Sequence, residues 1–107
     1  MPNSLAQLYK PAIAAILPAY NEAKTISGVL DVLLRVESLG EIIVVDDGSK
    51  DATSAILRTF TDRDGRVRLI QHEANRGKGQ AIFSAWRSTQ ATSVSYTHLT
   101  LPTKRIV

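Results

Sequence analysis

Short apolar runs alternate with amphipathic segments along this chain. Residues 12–17 are wholly apolar and end at Pro18, and residues 41–45 read "EIIVV", with four β-branched apolar side chains in a row. Apolar runs of this length between turn-forming residues are typical of strands buried on both faces of a sheet. Residues 67–71, "VRLIQ", alternate in polarity and predict a third strand.

The segment after the first strand has the three- and four-residue spacing of an amphipathic helix. Asn21 is the predicted N-cap, Glu22 suits the positive end of the helix dipole, and Gly40 is the predicted stop. We expect one face of this helix to hold Ile26, Val29, Leu30, Leu33 and either Val36 or Glu37.

Two further helices are predicted, one after each of the remaining strands. Ser49 or Asp51 is expected to cap the second helix, and residues 81–88 continue as the third. The expected apolar faces are Ala52, Ala55, Ile56, Thr59 and Phe60 in the second helix, and Ala81, Ile82, Ala85 and Trp86 in the third.

Strands and helices therefore alternate in the order β-α-β-α-β-α, which predicts an α/β fold. Helical connections between successive strands imply right-handed crossovers and a parallel sheet flanked by helices. Ligands of such open sheets bind outside the carboxyl ends of the strands. That edge, called the rim below, would gather residues 18–22, 46–49 and 72–79.

Composition and charge exclude several classes of function. Hydrophobic residues make up 44% of the chain, and the net charge of +3 falls to +1 without Lys104 and Arg105, leaving 11 basic against 10 acidic residues. The chain has no basic stripe with interleaved aromatic residues, so the sequence does not predict nucleic-acid binding. The chain has no cysteine, no apolar run long enough to span a membrane, and no signal-peptide pattern at its start. We therefore expect a cytoplasmic location.

Asp46 and Asp47 bring two like charges to the end of a predicted buried strand. Because side chains alternate along a strand, the two carboxylates should point to opposite faces and should not share a proton. One would then face the cleft while the other supports the following turn. The alternative is that both only form the turn ahead of Gly48.

The other two rim segments carry weaker signals. In "PAYNE", Tyr20 could lie beside a planar ring, or the segment could be only a proline turn before a capped helix. In "NRGKG", Arg76 and Lys78 precede a helix and suit an anion site, or they form a solvated loop. His72 and His98 have no partner at metal-ligand spacing.

Taken in order, the three motifs "ILPAYNEAKTI", "EIIVVDDGSKDAT" and "NRGKGQAI" resemble the N-terminal half of family 2 glycosyltransferases, which have the Rossmann-like GT-A fold. Within that family they look most like the dolichol- and polyprenyl-phosphate glucose or mannose synthases. The resemblance covers residues 12–92. It leaves residues 1–11 as an N-terminal extension and residues 93–107 as a non-family tail.

This resemblance implies that the rim binds a nucleotide-diphosphate sugar. Asp47 would accept a hydrogen bond from a ring N–H of the base, and Asp46 would support the turn or the ribose side. Arg76 and Lys78 would lie near the diphosphate. The remaining residues that the resemblance assigns to donor binding are Pro18, Ala19 and Tyr20 along the base, Glu22 close to the donor, and Gly48 in the turn.

The family's inverting transfer uses Mg²⁺ or Mn²⁺, held through an Asp-x-Asp motif on the next strand, and a general base from further downstream. No Asp or Glu follows Glu73, so the resemblance implies a C-terminally truncated domain with no catalytic or metal-binding residue of its own. The ending "SYTHLTLPTKRIV" resembles translated adapter sequence. We expect an artefactual tail from Ser93, and a genuine divergent tail stays open.

Other functions remain as alternatives. A non-catalytic nucleotide-binding or interaction module would show the same rim without sugar transfer. A dinucleotide-dependent dehydrogenase is disfavoured because no Gly-x-Gly-x-x-Gly follows the first strand. In the longer enzyme, the acceptor could be a lipid phosphate, a saccharide or a protein, and membrane association would accompany a lipid acceptor. The isolated chain is predicted to be marginally stable or prone to aggregation.

Overall fold

The computed structural model describes residues 13–102 except 90, 92, 97 and 98. Its elements follow the predicted order, and the α/β prediction is confirmed. The predicted extension at residues 1–11 and residues 103–107 of the predicted tail lie outside the described residues. The elements are β1 (Ile13–Ala19), α1 (Ile26–Leu34), β2 (Leu39–Asp47), α2 (Thr53–Arg63), β3 (Val67–His72), α3 (Lys78–Ser88), β4 (Ser93–Tyr96) and β5 (Leu99–Pro102).

The strands form one sheet in the order β3-β2-β1-β4-β5. β1 is parallel to β2 and to β4, and β2 is parallel to β3. The register pairs Ala19 with Asp46 and Asp47 with His72, so the carboxyl ends of β1, β2 and β3 meet at one edge. This is the predicted rim.

β4 and β5 correct the prediction from sequence, which assigned no strand after residue 92. β4 pairs with β1 from Ile13 to Ala15, and β5 runs antiparallel to β4. The sheet is therefore mixed rather than wholly parallel. Strand pairing uses backbone N–H and C=O groups, so the open edge of β1 can take a partner whose side chains show no clear period.

Two apolar cores lie on opposite faces of the sheet. Ile42 and Val44 point from β2 toward α1 and α2, where they meet Leu30 and Leu57. The alternate residues of the same strand point toward the other core, where Ile43 and Val45 pack with Ala81 and Ala85 of α3. The two small side chains of α3 allow a close approach to the sheet, and the predicted inward position of Ala81 and Ala85 is confirmed.

Three predicted boundaries are wrong. Pro18 lies inside β1, paired in register with Val45. The described pairing with β4 runs only from Ile13 to Ala15, and Pro18 itself has no backbone N–H to donate to a neighbouring strand. Asn21 does not cap α1, which begins at residue 26 after a turn, and Gly40 lies within β2 instead of ending the helix.

The predicted helix faces are only partly right. On α1, Ile26 and Leu30 are buried, whereas Val29 and the following Val36 are exposed. On α2 the buried residues are Thr53, Leu57 and Phe60, whereas the predicted Ala52, Ala55 and Thr59 are exposed. Only a narrow stripe of each helix packs against the sheet. The hydrophobic periodicity of the sequence does not determine by itself which residues form that stripe.

Candidate functional site

A cavity of about 200 Å³ opens at the rim, between the ends of β1 and β2 and the start of α3. Six of the residues predicted to bind a donor line it, and the third loop adds two that were not predicted. The lining residues are Pro18, Ala19, Tyr20, Glu22, Asp47, Asn75, Gly77 and Lys78. Among the described residues, the predicted Asp46, Gly48 and Arg76 lie outside this lining.

Asp47 is the buried carboxylate of the cavity wall and accepts three hydrogen bonds. Its Oδ1 accepts from the backbone N–H of Arg76 at 2.9 Å and from His72 Nδ1 at 2.8 Å, and its Oδ2 accepts from the backbone N–H of Gly77 at 2.8 Å. Burial by itself raises the pKa of Asp47, but these hydrogen bonds outweigh it and hold the pKa below its usual value. Asp47 is therefore ionised at neutral pH.

Asp46 points to the opposite face of the sheet, as strand alternation predicts. Its Oδ1 accepts from the backbone N–H of Ser49 at 3.0 Å, and its Oδ2 accepts from the hydroxyl of Ser54 and from Gln71 Nε2. Burial again raises the pKa, and hydrogen bonds from Ser49, Ser54 and Gln71 lower it below the usual value. Asp46 thus holds the turn after β2 and joins it to α2 and β3.

Gly48 is the point where two rim loops touch. Its φ is +79°, and a Cβ at this position would lie 2.6 Å from the backbone C of Ala74 and 2.6 Å from the backbone N of Asn75. A side chain is therefore excluded both by the left-handed conformation and by the neighbouring backbone. Gly48 contributes to the site by letting the third loop approach the second.

The first two rim loops are interlocked by hydrogen bonds that the sequence motifs did not reveal. Asn21, at φ +52°, donates its backbone N–H to Ser49 Oγ at 2.9 Å, and its side-chain oxygen accepts from the backbone N–H of Lys50 at 2.8 Å. The backbone N–H of Glu22 donates to Thr53 Oγ1 at 2.9 Å. These contacts hold the backbone of the first rim loop, which carries the side chains of Tyr20 and Glu22.

Asp51 supports the same junction from the start of α2. Its Oδ1 accepts from the backbone N–H of Thr53 at 2.9 Å, and its Oδ2 accepts from the backbone N–H of Ala23 at 3.3 Å. The prediction that Ser49 or Asp51 caps α2 is wrong, because Ala52 occupies the N-cap position; Asp51, one residue earlier, nevertheless accepts from the first turn of the helix. The turn-forming composition of "DGSKDAT" was the available signal, but it did not reveal the partner loop.

The third loop leads into α3, whose first residue, Lys78, is the cationic side chain that lines the cavity. Gly77, at φ +96°, immediately precedes α3, and Lys78 is the first residue of that helix. The exposed Arg76 reaches the site through its backbone N–H, which bonds Asp47. The first backbone N–H groups of a helix have no partner within the helix, so this end of α3 has a positive potential.

His72 connects the carboxylate of the wall to α3; the sequence placed it on the rim but assigned it no role in the site. Its Nε2 lies 3.0 Å from Ser84 Oγ, and its side chain is 6% exposed. The available signal was register, because Asp47 and His72 are the last residues of neighbouring parallel strands. Sequence spacing treated the histidine only as a metal-ligand candidate without a partner.

The described residues contain no group of three or more His, Asp or Glu side chains that could hold a metal ion. This part of the chain therefore does not fit a divalent cation by itself. Within the same described residues, no helix is both long and apolar enough to cross a membrane.

Comparison with known proteins identifies the family. A family model described as "Glycosyl transferase family 2" matches residues 14–96, most of the chain. The chain belongs to family 2 of the glycosyltransferases, and the resemblance of the three motifs is confirmed. The match extends to residue 96, past the expected domain end at residue 92, and the foreign origin of the tail stays a prediction.

A curated relative and two solved structures are similar to this chain. Dolichyl-phosphate beta-glucosyltransferase ALG5C of Trichomonas vaginalis is 38% identical over 76 residues, covering 63% of this chain and 23% of the relative. The mannosyltransferase PcManGT of Pyrobaculum calidifontis, in complex with GDP-Man and Mn²⁺, is 30% identical with a TM-score of 0.69 over 81% of this chain and 27% of its own. The fragment TarS 1-349 of S. aureus, in complex with UDP-GlcNAc, is 27% identical with a TM-score of 0.72 over 80% of this chain and 26% of the fragment. This chain thus spans about a quarter of the length of the first two proteins and 16% of the longer TarS structure.

Proposed function

We propose that this chain supplies the nucleotide-binding part of an inverting glycosyltransferase, which transfers a sugar from a nucleotide-diphosphate sugar to an acceptor. The observation that carries this proposal is the rim cavity, which places a buried carboxylate beside the positive end of a helix. The family match and the nucleotide sugars bound by the two similar structures support it.

The base of the nucleotide would lie against the first rim loop and Asp47. Pro18, Ala19 and the half-exposed Tyr20 offer an apolar and aromatic surface for a planar ring. A carboxylate has about four acceptor positions, and Asp47 uses three within the protein. The remaining position can accept a ring N–H of the base.

The diphosphate would lie toward α3. Lys78 lines the cavity at the first position of this helix, where the unpaired N–H groups and the helix dipole favour an anion. Arg76, two residues earlier, adds a second cation on the same loop. The site therefore has an aromatic end with a hydrogen-bond acceptor and a cationic end, which matches the two ends of a nucleoside diphosphate.

Sugar transfer itself would need groups that the described residues lack. A divalent cation, when bound in the full-length enzyme, would neutralise the leaving diphosphate, but its ligands would have to come from elsewhere, because the described residues hold no suitable group. We propose that this chain alone binds donor without transferring sugar. The name of the dolichyl-phosphate relative supports a polyprenyl phosphate as acceptor. Such a lipid acceptor would require the full-length enzyme to associate with a membrane.

Calorimetric titration of the 107-residue chain with GDP, UDP and the matching nucleosides tests the proposal. We expect the diphosphates to bind more tightly than the nucleosides, and Lys78→Ala to weaken diphosphate binding about threefold to tenfold through loss of a charge-assisted contact. Arg35→Ala is the matched control, because this exposed residue follows α1 at the opposite edge of the sheet.

Two outcomes of this titration would contradict the account, and a separate assay of the full-length protein tests the alternative. Absence of binding by either diphosphate would contradict the proposed function. Equal losses for Lys78→Ala and Arg35→Ala would show that general charge, rather than this cavity, attracts the ligand. Binding by a full-length protein that neither transfers nor hydrolyses nucleotide sugars would favour the non-catalytic module.

A further inference from the structure

His72 is a buried imidazole on the rim that the proposed nucleotide contacts do not use. Both ring nitrogens have partners, because Nδ1 lies 2.8 Å from Asp47 Oδ1 and Nε2 lies 3.0 Å from Ser84 Oγ. The ring therefore bridges the end of β2 and the second turn of α3. Both polar atoms of this buried ring are thus satisfied within the protein, and both partners belong to elements that flank the cavity.

The direction of these hydrogen bonds follows from the chemistry of the partners. Asp47 is a carboxylate and can only accept, so the Nδ1 atom of His72 must carry a proton. The other nitrogen, Nε2, shares a hydrogen bond with the hydroxyl of Ser84, which can act as donor or acceptor. The ring therefore links Ser84 to Asp47 and donates to the carboxylate.

The Oδ1 atom of Asp47 is shared by two donors from different segments. It accepts from the His72 ring on β3 and from the backbone N–H of Arg76 in the third rim loop, while Oδ2 accepts from Gly77. Rotation of this carboxylate would break all three bonds together. Because the last torsion of an aspartate is broad, its orientation depends on such fixed donors.

We propose that His72 is a positioning residue of the nucleotide cavity, which orients Asp47 and through it fixes the backbone of Arg76 and Gly77. The nucleotide part of this inference rests on the proposed function. The structural part does not, since it concerns the ligand-free loop. His72 contacts no predicted ligand atom, so its effect on binding passes entirely through Asp47.

Amide hydrogen exchange, measured by NMR on the ligand-free 107-residue chain, tests the structural part. His72→Phe keeps a ring but removes both polar contacts, and we expect exchange at the Arg76 and Gly77 amides to become about tenfold faster. His72→Asn can present its side-chain N–H near the position of Nδ1. We expect this variant to restore most of the protection.

Two serines on α3 give a matched pair that leaves the histidine in place. Ser84→Ala removes the hydroxyl that contacts His72. Ser88 lies one helical turn after Ser84, and Ser88→Ala removes a hydroxyl that donates only to the backbone carbonyl of Ala85 among the contacts described. We expect faster exchange at Arg76 and Gly77, by about threefold, in Ser84→Ala only. This pair decides the question if His72→Phe does not fold.

Titration of the same variants with GDP and UDP tests the nucleotide part. For whichever diphosphate binds the wild type, we expect about tenfold weaker binding by His72→Phe, rescue in His72→Asn, and no change in Ser88→Ala. Unchanged exchange and affinity in His72→Phe, or equal losses in His72→Phe and His72→Asn, would overturn the inference. If neither diphosphate binds the wild type, the proposed function fails, while the exchange data still decide whether His72 positions the loop.

Discussion

At the scale of single residues, the two aspartates after β2 fasten different parts of the rim. Asp46 holds the turn at Ser49 and joins it to α2, whereas Asp47 holds the third loop at Arg76 and Gly77. Each acts through backbone N–H groups, which only an acceptor-bearing side chain can satisfy. Adjacent carboxylates are therefore compatible here because each has its own set of donors.

Substitution of Gly48 tests the close approach of the second and third rim loops. We expect Gly48→Ala to lower the free energy of unfolding by about 2–4 kcal/mol, because the new Cβ combines an unfavourable positive φ with a backbone clash. The measurement is denaturant unfolding followed by circular dichroism. If Gly48→Ala lost less unfolding free energy than Gly77→Ala, a variant without such a clash, the predicted clash would be contradicted.

Two other glycines separate strain from contact in that experiment. Gly77 has φ +96°, but a Cβ there would have no neighbour within 4 Å, so Gly77→Ala should cost about 1 kcal/mol from strain alone. Gly65 lies outside the left-handed region and would also have no neighbour within 4 Å of a Cβ. Gly65→Ala should therefore change the free energy of unfolding by less than about 0.5 kcal/mol.

The lowered pKa values of the aspartates predict how stability responds to acid. The folded pKa of Asp46 and of Asp47 lies below the ordinary 3.8. As the pH falls, the unfolded state therefore binds more protons than the folded state does. Their stabilisation is complete above pH 3.8 and is lost as the pH falls through the folded pKa values. Asp47→Asn should therefore flatten the decline in unfolding free energy below about pH 4.

Denaturant titrations at a series of pH values would measure that slope. Asp31→Asn is a suitable control, because it removes one exposed carboxylate from α1, away from the rim. An acid slope that is the same in Asp47→Asn and the wild type would show that Asp47 contributes nothing to it.

At the scale of elements, how well each segment could be predicted depends on what stabilises it. The central strands were predictable because burial on both faces requires continuous apolar runs such as residues 41–45. β4 and β5 were not, because their pairing follows from the free edge of β1. The rim segments were predicted, whereas the Asn21 and His72 contacts required the register and loop geometry.

Arg66 is the residue that closes the C-terminal end of α1. Its guanidinium donates to the backbone carbonyls of Leu34 at 2.7 Å and Leu39 at 3.1 Å, and it also pairs with Asp64. Carbonyls at the end of a helix have no partner within the helix, so this side chain satisfies groups that would otherwise need water.

Arg66→Ala should lower the free energy of unfolding by about 1–3 kcal/mol, since it leaves partly buried carbonyls without donors. Arg66→Lys should recover only part of the loss, because an ammonium cannot span the same carbonyls as the guanidinium fork. Arg58→Ala, which removes one exposed hydrogen bond to Gln71, is the control and should have a small effect. Equal losses for Arg66→Ala and Arg58→Ala in denaturant unfolding would contradict this role.

At the scale of the whole molecule, the sheet is covered by helices on both faces while apolar groups remain at the surface. Val29, Val32 and Val36 are 41%, 59% and 40% exposed, and Phe83 on α3 is 45% exposed. β3 is an outer strand of the sheet. Exposed apolar side chains and free strand edges favour association between molecules. They are consistent with the predicted tendency of the isolated chain to aggregate, which stays a prediction.

Nucleoside diphosphate binding at the rim cavity is the property on which the proposed function depends. NMR titration of the ¹⁵N-labelled 107-residue chain with GDP and with UDP measures it residue by residue. We expect saturable shifts for at least one of them, concentrated at the amides of Tyr20, Glu22, Asp47, Gly77 and Lys78. Shifts confined to other surfaces, or no shifts with either ligand while the chain is folded, would contradict binding at this cavity.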